Sequence, residues 1–262
     1  MKKTEKKLIV ANWKMNPASE KGAILNAEKI EKAAMVSKNT DVVVAPPFPF
    51  IISVGKALKK AKLGAQDVFW EEKGAFTGEI SCQQLKNINV QYVIIGHSER
   101  RIFLAESDES VNKKVNAALK NGLRAILCVG ERERNVYNEI PEIVGEQLEK
   151  ALDGVKKPAL LKNLIVAYEP VWAISTMSGA RPDTPDNAFR ARMYLRKVLT
   201  KLYGATHGGS VKIIYGGSVN TGNVSGFLGE GTMQGALVGS ASLDPIQFGE
   251  IVKNAGTRQP SI

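Results

Sequence analysis

Eight short apolar runs, each continuous rather than alternating, constrain this chain more than anything else in it. They are LIVANWK (8–14), DVVVAPP (41–47), AKLGAQDV (61–68), QYVIIGHS (91–98), RAILCVGE (124–131), NLIVAYEP (163–170), VKIIYGGS (211–218) and GALVGSAS (235–242). A strand with one solvated face alternates, whereas a strand that is apolar throughout is buried on both faces, as in a parallel sheet covered by helices. Amphipathic segments separate many of the runs. Residues 107–122 have an acidic, cappable start and an Asn-Gly stop, and residues 185–204 carry Pro185 in the first turn and Gly204 at the end. Both patterns predict helices.

Eight β-then-α units in 262 residues predict an α/β fold: one closed (β/α)8 barrel of eight parallel strands over residues 1–262, with a basic, frayed tail at 1–7. A doubly wound open sheet is the runner-up. That fold usually carries a glycine-rich turn after its first strand, and here the first strand ends in ANWKMN. No Pro-, Gly- or Ser-rich linker divides the chain. The apolar stretch behind the N-terminal lysines breaks at Asn12 and Lys14, so no signal peptide is expected, and no window has the length of a membrane span. With only two cysteines, Cys82 and Cys128, far apart in sequence, the expected location is a reducing cytoplasm. The net charge of +10 favours anionic partners. The lysines are nevertheless dispersed, and no aromatic residues interleave with them, so neither nucleic acid nor a membrane is an expected partner.

In a barrel the carboxyl ends of all strands converge on one face, where active sites sit. The runs deliver Asn12 and Lys14, Gln66, His97 with Ser98 and Glu99, Cys128 and Glu131, and Glu169. The last two runs end in Gly216, Gly217 and Ser218, and in Gly239 and Ser240. Small-residue turns leave backbone N–H groups free to meet an anion, and a following helix adds its positive end, so these two turns predict a phosphate cradle. Glu169, at the end of a buried run, is a candidate base, because a carboxylate left there without function wastes solvation energy. His97 is one of two histidines, too few for a histidine-rich metal site. A carboxylate and an imidazole facing each other, beside an ammonium and a phosphate anchor, fit proton abstraction next to a carbonyl.

The segments ANWKMN, GHSERR, YEPVWAI, YGGSV and LVGSASL, in this order and at this spacing, resemble the signature segments of the triosephosphate isomerase family, whose fold is the TIM barrel. The resemblance runs from about Leu8 to Val252. It implies interconversion of dihydroxyacetone phosphate and D-glyceraldehyde 3-phosphate through an enediolate, in glycolysis and gluconeogenesis. By the same resemblance Glu169 is the base and His97 a neutral electrophile at a helix N-terminus, as known for that family. Lys14 and Asn12 hold substrate oxygens, and Glu99 completes the network around Lys14 and His97. The phosphate rests on N–H groups of Ser175, Ser218, Gly239 and Ser240. No cofactor or metal is implied. The segment 72–81 resembles the family's protruding third loop, which implies a homodimer in which Thr77, with Gly78 and Glu79 beside it, reaches towards Asn12 and Lys14 of the other chain.

The lid departs from the family pattern. Where most members read roughly AIGTGKTA, this chain reads AISTMSGA, with Ser175 and Met177 in place of glycines and Ser178-Gly179 in place of Lys-Thr; Ser240 also replaces a second glycine. Serine and methionine resist the positive φ that glycine permits. An active isomerase is expected, and the altered lid keeps open a phosphate-binding homologue that no longer turns over. A polyanion-binding surface remote from the mouth is the remaining alternative.

Overall fold

The structure is a computed structural model and describes residues 5–134 and 139–257. Its strands are β1 (Lys7–Asn12), β2 (Thr40–Ala45), β3 (Lys62–Ala65), β4 (Tyr92–Ile95), β5 (Arg124–Val129), β6 (Leu164–Tyr168), β7 (Lys212–Tyr215) and β8 (Gly235–Val238). All eight pair in parallel in chain order, and β1 pairs with both β2 and β8, which closes the barrel. Six strands lie inside their predicted apolar runs, and β1 and β2 each begin one residue earlier, at Lys7 and Thr40.

Continuous hydrophobicity is divided between two cores. Alternate residues, among them Val10, Val43, Ile94, Ile126, Ile165 and Ile214, fill the barrel interior. The intervening ones, such as Ile9, Val44, Val93 and Val166, pack outwards against the helices. Burying each such Ile or Val stabilises by about 1.5–3 kcal/mol, and only a covered barrel buries both sets at once.

The helix Asp108–Lys120 starts where Ser107 accepts from the Ser110 N–H and stops at Asn121, with Gly122 at φ 77 in the left-handed stop position. The segment Pro185–Ser210 starts at Thr184, whose side chain accepts from Asn187 N–H. It is interrupted at Gly204 (φ 74, ψ 166), the predicted stop, after which a further helical stretch follows. The frayed tail predicted over 1–7 needs correction at its inner end; residues 1–4 lie outside the described residues. Lys7 opens β1, and its ammonium donates to the carbonyls of Leu228 (3.0 Å) and Met233 (2.8 Å). Long side chains can bury their stem while the charged head finds acceptors, and this is how a lysine comes to begin a barrel strand. Among the described residues no helix is long and apolar enough to cross a membrane.

Behind the ends of β3 and β4 lies a buried ion network. Lys114 donates to both oxygens of Asp67 at 2.8 Å and to Glu106. Arg100 reaches Asp67 at 2.8 Å and Glu106 at 3.1 Å. Burial pushes both carboxyls up, and the two cations oppose it. At Asp67 burial outweighs the cations and the carboxyl stays above its ordinary value, whereas at Glu106 the hydrogen bonds and charges of Lys114 and Arg100 together outweigh burial and it falls below. Glu106 therefore contributes stability that is lost as pH falls through its folded value, and Asp67 contributes with the opposite sign, so acid titration is a blunt probe of the network. Substitution is a sharper one. Lys114→Met leaves the two buried carboxylates with Arg100 alone, a loss of about 3–5 kcal/mol. Calorimetry should show the unfolding midpoint lowered by about ten degrees. An unchanged midpoint would mean the network is not holding these strand ends.

Candidate active site

Lys14 stands just beyond β1 with φ 53, a left-handed backbone unusual for a residue with a side chain. That conformation costs on the order of 1 kcal/mol and persists where its surroundings over-determine it. Here the Lys14 N–H donates to Asn12 Oδ1 (3.1 Å), and Gln66 Nε2 donates to the Lys14 carbonyl (2.8 Å) and to that of Ala45 (2.9 Å). The side chain is thereby aimed across the mouth, where Nζ lies 2.5 Å from Glu99 Oε1 and 3.3 Å from Thr176 Oγ1. Gly239 makes room for it, since a Cβ there would lie 3.3 Å from Lys14 Cε.

His97 ends the β4 segment and caps the helix Ser98–Phe103, its Nδ1 accepting from the Glu99 N–H at 3.2 Å. A ring nitrogen that accepts carries no proton, so this hydrogen bond leaves Nε2 as the ring's donor. Nε2 lies 3.4 Å from Glu169 Oε1.

Glu169 follows β6 and is 1% exposed. Its Oε2 accepts from the Ser98 N–H at 2.9 Å, while Oε1 has no hydrogen-bond partner. Gly216 gives the carboxylate its berth, because a Cβ there would stand 2.8 Å from Glu169 Cγ. Asn12, Lys14, His97, Ser175, Ser218, Gly239 and Ser240 all line one cleft of about 420 Å3, with Ile174 and Leu237 as apolar walls. Glu169 faces away from it, into an adjoining cavity with Ser98, Cys128 and Glu131. The sequence-predicted residues thus come together at one mouth, with the carboxylate parked one swing away.

The lid tip is folded over this mouth. Ser175 N–H donates to Ser218 Oγ at 2.8 Å, and Ser218 N–H donates to the Ala173 carbonyl at 3.2 Å. Both groups expected to meet phosphate are therefore engaged within the protein in this conformation. Neither Ser175 nor Met177 has a positive φ; within the lid only Gly179 does, at 72. The expected strain at the altered positions is absent here. Ser240 opens a short helical turn, Ser240–Ser242, after Gly239.

Sequence reasoning placed Glu131 at a strand end and gave it no role. Its Oε1 accepts from Arg134 Nε (3.0 Å), Tyr168 OH (2.8 Å) and Trp172 Nε1 (2.9 Å). Arg181 lies 4.9 Å from the Trp172 ring and donates its N–H to the Trp172 carbonyl at 3.0 Å. These contacts tie both ends of the lid to β5 and β6. Thr77, Gly78 and Glu79 lie on an exposed excursion, steadied at its base by the stacked rings of Phe69 and Trp70 (4.0 Å) and by Phe76 (4.7 Å from Phe69).

Both cysteines are buried. Burial lifts the Cys82 thiol to about 11. It raises the Cys128 thiol well above its ordinary value, with the Glu169 carboxylate adding to the effect. A thiol held protonated is a poor nucleophile. Mass spectrometry after iodoacetamide treatment at pH 8 should find both unmodified in the native protein and both alkylated in guanidinium. Rapid native alkylation of Cys128 would refute this picture of the Glu169 environment.

A family model described as triosephosphate isomerase matches residues 7–255. The chain is 43% identical over 248 residues to the triosephosphate isomerase of Caldanaerobacter subterraneus subsp. tengcongensis, covering 94% of this chain and 98% of that protein. It is 40% identical over 252 residues to that of Dictyoglomus thermophilum (95% and 99%), and 43% identical over 256 residues to that of Carboxydothermus hydrogenoformans (95% and 99%). With a closed parallel barrel and a single mouth that collects the ammonium, the imidazole and the carboxylate, the chain belongs to the triosephosphate isomerase family.

Proposed function

We propose that this chain interconverts dihydroxyacetone phosphate and D-glyceraldehyde 3-phosphate, as a single-domain barrel acting as a homodimer in the cytoplasm. The observation that carries the reading is the approach of His97 Nε2 to the Glu169 carboxylate, 3.4 Å, beside Lys14 in a cleft floored by small residues.

Glu169 leaves the Ser98 N–H, swings into the cleft and takes a proton from the carbon next to the carbonyl. The C–H electron pair becomes the second bond of an enediolate, and negative charge gathers on the former carbonyl oxygen. His97 donates from Nε2 to that oxygen, and the Lys14 ammonium, fixed by Glu99, stabilises the charge. Glu169 returns the proton to the neighbouring carbon while His97 moves the hydroxyl proton between oxygens. The phosphate rests on the turns at Ser218 and Gly239–Ser240 and on Ser175 of the lid. For those contacts to form, the Ser175 and Ser218 N–H groups exchange their internal partners for phosphate oxygens. Ile174 and Leu237 exclude water from the carboxylate, which strengthens every charge interaction inside and disfavours loss of phosphate from the enediolate.

Glu169→Gln keeps the shape and removes the base. Steady-state turnover of D-glyceraldehyde 3-phosphate should fall by about 10²–10⁴-fold with KM little changed. Wild-type turnover with little methylglyoxal formed would support an effective lid. A folded wild-type protein with no turnover would leave the phosphate-binding homologue as the surviving reading.

The dimer reading is supported by apolar side chains around the Thr77 loop. Met15 (91% exposed), Phe76, Phe103 and Leu104 stand in solvent on segments that follow β1, β3 and β4, one sector of the barrel. Sedimentation equilibrium should give twice the 28.4 kDa chain mass. A charge introduced at Phe103 should yield monomers of much reduced turnover, because Thr77 no longer supports the other chain's Lys14. A fully active wild-type monomer would overturn the reading.

A further inference from the structure

The mouth accounts for little of the net charge of +10. Much of the remainder gathers at the opposite end of the barrel, where the strands begin. Gly64 faces inwards, since a Cβ there would stand 3.0 Å from Val43 Cγ1 and 3.4 Å from Ala45 Cβ, two interior residues. By the period-two alternation of a strand, Lys62 then sits on the inward face at the start of β3. The same holds for Arg124 on β5, two before interior Ile126, and for Lys212 on β7, which pairs with interior Ile165. Three odd-numbered strands therefore present a cation at the bottom of the barrel interior, and Lys6 stands just ahead of β1.

A cleft of about 610 Å3 opens there, lined by Lys6, Lys59, Lys60, Lys62 and Arg124, with Asp41 as the single carboxylate among its described lining residues. Some of this charge is already engaged. Lys60 donates to the carbonyls of Met35 (3.0 Å) and Ser37 (2.6 Å), and Lys6 lies 3.4 Å from Asp41. Lys212, outside the cleft, pairs with Glu5 at 2.7 Å. Nearby Glu31 is turned to the backbone N–H groups of Lys60 (2.8 Å) and Ala61 (3.0 Å). Lys59 and Lys62 make no ion pair among the described residues. Arg124 gives Nη1 to the Tyr92 hydroxyl (2.6 Å), with its guanidinium 5.2 Å from that ring.

Like charges gathered in a concavity repel one another, and an anion that enters meets several at once. β3 and β5 are two strands apart, about 10 Å across the sheet, a spacing that a chain of two or three phosphates spans. The volume suits a compact ligand, whereas a nucleic-acid duplex needs an extended basic stripe. We propose that this bottom cleft binds an anion of two or three linked phosphates, held between Lys62 and Arg124 with Lys59 and Lys6 at its rim. The chemistry is shared by inorganic polyphosphate and by nucleoside di- and triphosphates. The site is separate from the catalytic mouth and does not depend on the reaction assigned there.

The test is calorimetric titration of the intact protein with tripolyphosphate, in saturating glycerol 3-phosphate to fill the mouth. Expected is one tripolyphosphate per chain, undisturbed by glycerol 3-phosphate and steeply weakened by salt. Lys62→Glu with Arg124→Glu should weaken it by about tenfold or more while leaving isomerase turnover within about twofold of wild type. Should that pair fail to fold, Lys59→Ala with Lys62→Ala keeps the question answerable, with about fivefold weakening expected. ATP binding more tightly than tripolyphosphate assigns the cleft to nucleotides; the reverse order assigns it to inorganic polyphosphate. Displacement by glycerol 3-phosphate, undiminished binding in the variants, or no binding of either ligand at millimolar concentration would overturn the proposal.

Discussion

Closing a parallel sheet sets nearly every other feature of this molecule. Once β8 pairs with β1 no strand edge remains, both faces of each strand are buried, and polar side chains find water only beyond the strand ends. Parallel pairing then sends all carboxyl ends to the same side. Asn12, Lys14, His97 and Glu169 come from the ends of β1, β4 and β6 and are distant in sequence, yet closure puts the first three in one cleft and Glu169 in the cavity beside it. The barrel does not merely carry this site. Its geometry is why a carboxylate, an imidazole and an ammonium can meet with no loop long enough to bring them together.

Much of this was legible in the chain, and the reason is physical. Continuous apolar runs report burial on both faces, so all eight strands form at predicted runs, and punctuation marked real helix boundaries, Ser107 a start, Asn121-Gly122 a stop and Gly204 an interruption. Residue type at a strand end reports chemistry, and so the mouth residues were foreseeable. Features set by contacts between distant elements were not. Nothing in ANWKMN announces a left-handed Lys14, which depends on Gln66 fifty-two residues away. Glu131 looks like one more strand-end acid until Tyr168, Trp172 and Arg134 converge on it. Lys7 reads as part of a basic tail because its acceptors, the carbonyls of Leu228 and Met233, lie at the far end of the sequence.

The two ends of the barrel handle charge differently. At the mouth each charge has an assigned neighbour: Lys14 has Glu99, and Glu169 has the Ser98 N–H and the His97 ring. That pairing holds Lys14 in place across the mouth, while Glu169 rests on the Ser98 N–H outside the cleft. At the bottom, cations outnumber the single carboxylate among the described lining residues. Repulsion there can be tolerated because water still reaches the cleft and the ion atmosphere screens it.

The lid departs from the family pattern without backbone strain at the altered positions in this conformation. A glycine matters where φ must be positive, and in this conformation that requirement falls on Gly179 alone within the lid. Ser175 and Met177 occupy ordinary backbone regions, so their side chains cost nothing there. They do restrict the loosened lid, because a residue with a Cβ has fewer backbone states to lose on ordering than glycine has. Where the ordered conformation is compatible, such a replacement favours it by about 0.4–1 kcal/mol. Two replacements of this kind favour the ordered conformation seen here, with Ser175 on Ser218 and Thr176 on Lys14, and they leave Gly179 as the point where the chain can still turn. The altered sequence therefore reads as a stiffer cover hinged at one residue rather than as a broken one.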